Sequence, residues 1–340
     1  MNLTDPRKID KPRTVSVLVA ARNESANIRS CLEALLQQQF PAGRFEILVG
    51  DDHSEDDTAS IVEDMQGRHS CIRLFRIPEK KNSLLGKANV LAQLAKEAHG
   101  ELLLITDADV QVNPHWIAAM LKHFSPGVAL VSGTVSLFTH TLFGHLQNAD
   151  WLFYMGKCAR ASDAGNPVTA IGCNMGILAS SYRQIGGYEA VPFSVTEDYE
   201  LFRVVREAGY DCKHILGKEV LATTFPVRTF PDLLRQRKRW LTGSFRKKRS
   251  FIISYNLHGL YFPFLIASGS FIHPFIPLLL FPVTWLQKTL FLRKVYKKLA
   301  LPIPLAITLY PFYIVCCNFL FLFFQFRPGI VTWKGRPYGT

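Results

Sequence analysis

Apolar and polar positions alternate between two periods over the first half of the chain. Thr14–Ala20 (TVSVLVA) is a short β-branched run that predicts a buried strand. Ser25–Gln39 then places Ile28, Cys31, Leu32, Leu35 and Leu36 at helical spacing. Phe45–Gly50 (FEILVG) predicts a second strand that runs directly into Asp51-Asp52. A helix over Thr58–Gln66, a strand over Ile72–Ile77 and a helix over Lys87–Ala98, closed by Gly100, follow in turn. Glu101–Thr106 (ELLLIT) is a fourth strand and ends in Asp107-Ala108-Asp109. Strands alternating with helices predict an α/β fold: a mostly parallel sheet with helices on both faces. Ligands of such sheets bind beyond the carboxyl ends of the strands, where both acidic clusters stand.

Beyond Asn113-Pro114 the pattern loosens. Ala129–Leu137 reads as one strand, Leu142–Ala161 as an aromatic-rich helix, and Ile171–Ala179 as a small-residue turn before an apolar stretch. Glu197–Ala208 predicts a helix stopped by Gly209, and Phe230–Phe245 a basic amphipathic helix with Gln236, Arg239 and Trp240 on or near one face.

Two apolar blocks close the chain, Gly259–Leu286 and Leu301–Phe326, each long enough to cross a bilayer, which takes about 20 residues. Pro263, His273-Pro274, Pro277 and Pro282 interrupt the first, which admits a kinked span, a re-entrant hairpin or two short helices. A pair of buried helices in a soluble protein is the competing reading. An even number of crossings in the first block keeps the basic stretch Lys288–Lys298, read as a loop, on the cytoplasmic side. The expected division is a catalytic domain over residues 1–249 and a membrane region over 250–340, with two or three apolar helices.

Charge sharpens that picture. The net charge of +12 is concentrated at Arg228, Arg235, Arg237, Lys238, Arg239 and Arg246–Arg249, and again at Lys288, Arg293, Lys294, Lys297 and Lys298. Basic residues flanking apolar segments point to membrane lipids as the partner and argue against nucleic acid. The seven cysteines include no CxxC pair, and MNLTDPRKIDKPR is polar with no apolar signal segment. Both features predict a catalytic part on the cytoplasmic side of the inner membrane, attached through the C-terminal segments.

The polar constellations suit one anionic nucleotide donor. Asp52, at a strand end, can accept from a base N–H. Asp107 and Asp109 lie two residues apart; one can face the ribose or phosphate while the other holds Mg²⁺ or Mn²⁺, a hard cation bound by few carboxylates plus phosphate oxygens. Asp198, beside Glu197 and behind a possible Thr196 cap, suits a general base; helix N-capping is the alternative for these residues. Gln236, Arg239 and Trp240 offer an amide, a guanidinium and an aromatic face for a diphosphate and a sugar, or else an interfacial helix. Lys87 is a further diphosphate candidate, although LGKA lacks the P-loop spacing. Gly172 and Asn174 are candidates for the acceptor side, through close approach of backbone.

In these motifs the chain resembles inverting family 2 glycosyltransferases of the GT-A fold, especially their membrane-bound synthase-like branch. VSVLVAARNES is similar to the family's first strand and donor loop, DDHSEDDT to its DDGSTDGT motif with His53 and Asp57 in place of glycines. TDAD is similar to its DxD, TED to its base motif, and QRKRW to its QxxRW. The resemblance implies that Ala21 and Glu24 line the nucleotide pocket, that Asp52 reads uracil and that Asp107 sits near the donor. It further implies that Asp109 ligates the metal and Asp198 deprotonates the acceptor hydroxyl. Gln236, Arg239 and Trp240 border the diphosphate and the acceptor, with Glu197 on the acceptor side.

The expected activity is transfer of a sugar from a nucleoside-diphosphate sugar, a UDP-sugar by the resemblance, to a hydroxyl of a glycan or lipid-linked acceptor. QxxRW is associated in the family with polymerising synthases, so processive synthesis is the alternative. A different class, an inactive nucleotide-binding membrane partner, is opposed by the intact acidic motifs. A nucleotidyltransferase would explain neither QxxRW nor the apolar tail.

Overall fold

Strands β1 (Val15–Ala21), β2 (Phe45–Asp51), β3 (Ile72–Arg76) and β4 (Leu102–Asp107) lie parallel in the order β3-β2-β1-β4. Helices α1 (Ile28–Leu36), α2 (Thr58–Arg68) and α3 (Gly86–Glu97) connect them. This computed structural model describes residues 13–78, 84–192, 194–240, 243 and 260–324, and the backbone of 331–333 and 336–338. Val15, Val17, Leu18 and Val19 of β1 are all buried, as are Leu102, Leu103, Leu104 and Ile105 of β4. Burial on both faces explains why these strands read as continuous apolar runs instead of alternating ones.

The register of the strands sets the site. Ala21 pairs with Asp51, and Ala20 with Asp107, so the ends of β1, β2 and β4 come level. β5 (Gln111–Val112), α4 (Trp116–Leu121), β6 (Val128–Gly133), β7 (Val135–Leu137), α5 (Leu142–Asp163) and β8 (Asn174–Leu178) follow. α6 (Ala179–Gln184), α7 (Gly187–Ala190), α8 (Glu197–Glu207), β9 (Asp211–Ile215) and β10 (Ala222–Thr224) come next. The main sheet continues past β4 as β8-β6-β9, with β8 antiparallel to both β4 and β6. Thr106 pairs with Asn174, so β8 begins where β4 ends. A small second sheet joins β5, β10 and β7.

The long strand expected over Ala129–Leu137 is therefore two, β6 and β7, in different sheets. Thr134 marks the break: its hydroxyl donates to the Ile215 carbonyl at 2.8 Å and its own carbonyl accepts from Asn174 at 2.9 Å. The short strands β5, β9 and β10 and the short helices α4, α6 and α7 lack a sequence pattern long enough to announce them.

By contacts the chain divides into two units, residues 1–136 with 157–224, and 137–156 with 225–340. The second contains the first part of α5, then α9 (Phe230–Trp240), α10 (Tyr261–Phe271), α11 (Phe275–Lys298), α12 (Ala306–Phe324) and the hairpin β11 (Val331–Trp333) and β12 (Arg336–Tyr338). α11 and α12 are long and apolar enough to cross a membrane. The basic stretch Lys288–Lys298 is not a loop but the last three turns of α11, because no breaker follows Pro282 until the helix ends at Leu299. Of the expected helix over Phe230–Phe245, the part to Trp240 is α9; the remainder and Arg246–Arg249 lie outside the described residues.

Inside this unit α5 crosses α11 closely. A β-carbon at Gly156 would meet Val295 Cγ2 at 2.7 Å, so only glycine permits the approach. Asn148 donates to the Tyr296 hydroxyl at 3.3 Å, and Trp285 Nε1 to the Thr308 carbonyl at 2.7 Å.

Candidate active site

Two loops at the strand ends are stitched together. The Asn23 amide donates to Ser54 Oγ at 3.0 Å, and the Glu55 amide returns a bond to Asn23 Oδ1 at 2.8 Å. The Ser25 amide reaches Asp56 Oδ2 at 3.0 Å, and the Glu24 amide reaches Thr58 Oγ1 at 2.7 Å. Ala21 is buried at the end of β1, where its carbonyl accepts from the Asp52 amide at 2.9 Å. Glu24 is buried and accepts from Asn27 Nδ2 at 2.8 Å. Asp52 is buried as well, and its carbonyl accepts from Arg22 Nη1 at 2.7 Å. Ala21, Glu24 and Asp52 thus belong to one braced wall.

Of the two residues standing where the resembled motif has glycine, only His53 needs that freedom. His53 has φ 57°, in the left-handed region that side chains disfavour, whereas Asp57 has an ordinary φ of −73°.

The second wall joins three motifs through Lys87. This side chain leaves the first turn of α3, and its Nζ lies 2.5 Å from Asp107 Oδ1 and 3.3 Å from Glu197 Oε1. Burial alone would push the Lys87 ammonium toward neutrality; the Asp107 and Glu197 carboxylates outweigh it and raise its pKa. Burial pushes the Glu197 carboxyl up, with Lys87 opposing and Asp198 reinforcing the shift. Asp109 stands two residues beyond Asp107, half-buried.

Asp198 sits in the first turn of α8. Its Oδ1 accepts from the Tyr199 amide and its Oδ2 from the Gly172 amide, both at 2.8 Å. A β-carbon at residue 172 would lie 2.8 Å from Asp198 Cβ and 2.9 Å from Oδ2, so the position requires glycine. Thr196 occupies the N-cap position, but its side chain makes no capping bond. The two bonds fix the carboxylate in orientation and leave lone pairs on both oxygens for a hydroxyl.

Asn174 faces inward. Fully buried, it accepts from Trp116 Nε1 at 2.8 Å and donates to the carbonyls of Thr134 and Val220 at 2.9 and 2.8 Å. The geometry makes it a brace for the Gly172–Cys173 turn. That turn is tied to β4 as well, because Thr106 Oγ1 donates to the Cys173 carbonyl at 3.2 Å. Burial pushes the Cys173 thiol well up, which keeps it protonated and unreactive.

Gln236, Arg239 and Trp240 lie on α9, in the second unit, all half-buried. Trp240 stacks on Trp151 of α5, with ring centroids 5.0 Å apart and planes at 28°. Between these motif residues, Arg237 is buried and pairs with Asp150; its Nη1 donates to Asn318 at 3.3 Å, and the Tyr310 hydroxyl donates to Asp150 at 3.2 Å. Consecutive residues of α5 therefore hold two residues of QRKRW.

Sequence reasoning missed four residues here: Arg22, Asp150, Trp151 and Tyr188. Asp150 is hidden in the weakly patterned α5, and only its adjacency to Trp151 signals it. Tyr188 is buried with its hydroxyl unpartnered among the described residues; burial pushes its pKa up, and the Glu197 and Asp198 carboxylates add to the shift. Arg22, next to the first strand, has a buried Nε without a partner among the described residues.

Comparison with known proteins bears on this geometry. A model described as glycosyl transferase family 21 matches residues 4–339. A probable glycosyltransferase of Bacillus subtilis, YdaM, is 26% identical over 239 residues, 68% of this chain and 55% of that protein. A poly-beta-1,6-N-acetyl-D-glucosamine synthase of Staphylococcus epidermidis is 25% identical over 232 residues, 67% of this chain and 54% of its own length. The chain thus spans about half the length of the curated relatives it matches. Among solved structures, a mannosyltransferase from Pyrobaculum calidifontis in complex with GDP-Man and Mn²⁺ aligns with TM-score 0.55 and 20% identity, covering 95% of this chain and 90% of that one. That likeness establishes a GT-A-like fold.

Proposed function

This chain belongs to glycosyl transferase family 21 and is a glycosyltransferase, and we propose that it transfers one or a few sugars from a nucleoside-diphosphate donor to a hydroxyl of a lipid-linked or short glycan acceptor. The observation that carries the reading is the bridge made by Lys87, which brings Asp107 and Glu197 together on a single ammonium beside Asp198.

Asp198 takes the acceptor proton as the acceptor oxygen attacks the anomeric carbon and the diphosphate departs. A single displacement, as in the family 2-like branch, turns an α-linked donor into a β-linked product. Gly172 and Tyr199 hold the carboxylate through their amides, so the base is oriented before the acceptor arrives. Ala21, Glu24 and Asp52 form the nucleotide wall, and Gln236 and Arg239 supply donors for the diphosphate. Trp240 offers the acceptor sugar an aromatic face, and the motif resemblance assigns Glu197 to the acceptor as well, with the Gly172 turn a further candidate.

A divalent cation fits the chemistry of the donor set. Among the described residues no cluster of three or more His, Cys, Asp or Glu side chains could hold a metal alone. Mg²⁺ and Mn²⁺ need no such cage when diphosphate oxygens complete the shell, and Asp109 with Asp107 offers the one or two carboxylates they take from protein. When bound, the ion would offset charge developing on the departing diphosphate.

A UDP-sugar is the first reading of the donor. The mannosyltransferase complex with GDP-Man supports a GDP-sugar as the second. The apolar helices of the second unit attach the enzyme to a membrane, with residues 1–249 on the cytoplasmic side and 250–340 as the membrane region. The test is a screen of UDP- and GDP-sugars against lipid and glycan acceptors, with product masses, for the parent and Asp198→Asn. Loss of transfer with donor binding retained is expected; unchanged turnover would remove Asp198 as the base. Long product ladders would replace the proposed short product with processive synthesis.

A further inference from the structure

α10 and α11 form an antiparallel hairpin. The Tyr261 hydroxyl and Thr284 Oγ1 are 2.6 Å apart, and Lys288 Nζ lies 6.0 Å from the centre of the Tyr261 ring. The start of α10 is therefore level with Thr284–Lys288 in α11. Near the tip, Gly269 faces Pro277, where an added β-carbon would lie 3.0 Å from Cγ.

The tip carries a continuous run of exposed apolar side chains, and further ones follow on and before α12, such as Leu305 and Phe323. Phe271 is 88% exposed, Ile272 72%, Phe275 69%, and Leu278 and Leu279 67% each. An aqueous surface would not carry such a run, because exposed apolar residues on soluble proteins are scattered. Yet Asp and Glu are absent from Leu260–Lys298 altogether.

The backbone of the turn is also satisfied from within. The amides of Ile272 and His273 both donate to the Ser268 carbonyl, at 3.1 and 2.9 Å. Pro274 has no amide to satisfy, the Phe275 amide donates to His273 Nδ1 at 3.3 Å, and the Ile276 amide donates to the His273 carbonyl at 3.1 Å. Ser268 and Thr284 return their hydroxyls to the carbonyls of Leu265 and Leu280, each at 2.9 Å. In water none of this is needed; in hydrocarbon every backbone donor must find a partner inside the protein.

Length then decides how far the hairpin goes. α10 has 11 residues and is about 16 Å long, and Phe275 to Lys288 rises about 20 Å. The hydrocarbon core is about 30 Å thick. Beyond Lys288 the helix changes character: Thr289, Leu292, Val295 and Tyr296 are buried within the second unit, while Arg293, Lys294, Lys297 and Lys298 are exposed. Exposed cations along that last stretch suit lipid phosphates at the headgroup level, not a hydrocarbon interior.

We propose, on the membrane attachment put forward above, that α10 and the first half of α11 are a wedge that enters a phospholipid bilayer and returns to the face it came from. Although α11 is long enough to span, its apolar half is not. Leu260 and Lys298 lie on one face of the membrane, and Phe271 lies in its interior.

The full-length chain carrying Leu260→Cys, Phe271→Cys or Lys298→Cys would be expressed and its membranes prepared as inside-out and right-side-out vesicles. An impermeant maleimide then reports each position, with the parent chain correcting for native cysteines such as the exposed Cys316. Residues 260 and 298 are expected to label in the same vesicle type and not in the other, with residue 271 protected in both until detergent is added. Labelling of 260 and 298 from opposite faces would overturn the wedge while leaving membrane attachment intact, as would aqueous labelling of residue 271 in sealed vesicles. Release of the parent chain from membranes by an alkaline carbonate wash would instead overturn the attachment itself, and the wedge with it.

Discussion

The backbone of Gly172 lies against the side chain of Asp198: the amide donates to Oδ2 at 2.8 Å, and a β-carbon at 172 would lie 2.8 Å from Asp198 Cβ. Gly172→Ala must push the carboxylate aside, and displacement of a reacting group by about 1 Å costs on the order of 100-fold in rate. Steady-state kinetics should show kcat falling by that amount with the donor KM little changed. A wild-type kcat would show that Asp198 does not need this contact.

Lys87 neutralises two carboxylates at once. Lys87→Met leaves Asp107 and Glu197 facing each other without a cation, and breaking a buried ion pair from one side costs roughly 3 kcal/mol, less here because Asp107 is partly exposed. Urea denaturation should record that loss, and the donor KM should rise. Lys87→Arg keeps the charge and should recover most of the stability.

His53 sits at φ 57° on an exposed turn. Left-handed backbone costs a side-chain-bearing residue about 1–2 kcal/mol, partly offset by the larger unfolded-state entropy of glycine. His53→Gly should stabilise the protein by about 0.5–1 kcal/mol in thermal or urea unfolding. A destabilised variant would mean that the imidazole makes a contact stronger than the strain.

How much of this could be read from the sequence depended on the length of the pattern. The strands β1, β2 and β4 were legible because both of their faces are buried, and the acidic residues at their ends followed from the topology of parallel sheets. The bridge made by Lys87 was not, since nothing in LGKA says which carboxylates a lysine on α3 will meet. Asn174 has the composition of a ligand, but its neighbours in space, Trp116 and Thr134, spend its amide on the sheet. Lys288–Lys298 reads as a loop when charge marks a boundary, whereas a helix with one face buried carries charge on the other without breaking.

His214 provides a pH dependence with a definite sign. It is buried in β9 with Nδ1 2.9 Å from Ser132 Oγ, and burial lowers its pKa from 6.5 to about 4. The native state therefore binds this proton less readily than the unfolded chain. Its contribution is fully present above pH 6.5 and is lost as pH falls toward 4, by on the order of 3 kcal/mol. Unfolding free energies between pH 7 and 4 should fall for the parent, and His214→Gln should flatten that part of the profile.

Asp150 and Arg237 form the ionic centre of the second unit. Asp150→Ala leaves the buried Arg237 guanidinium without this carboxylate and should cost roughly 3–5 kcal/mol, and Arg237→Ala should cost less, because Asp150 is partly exposed. Thermal unfolding of the detergent-solubilised protein should show both losses. The exchange Asp150→Arg with Arg237→Asp should recover part of them, and additive losses in the exchanged pair would show that the two residues do not act on each other.

The reversal of β8 decides where the Gly172 turn falls. Because β8 starts at the end of β4, the segment leading into Gly172 arrives from the open side of the sheet, while the ladder from Thr106 to Leu102 anchors what comes after it. The turn at Gly172 is thereby held from two sides, by the β4 ladder and by the Asp198 carboxylate.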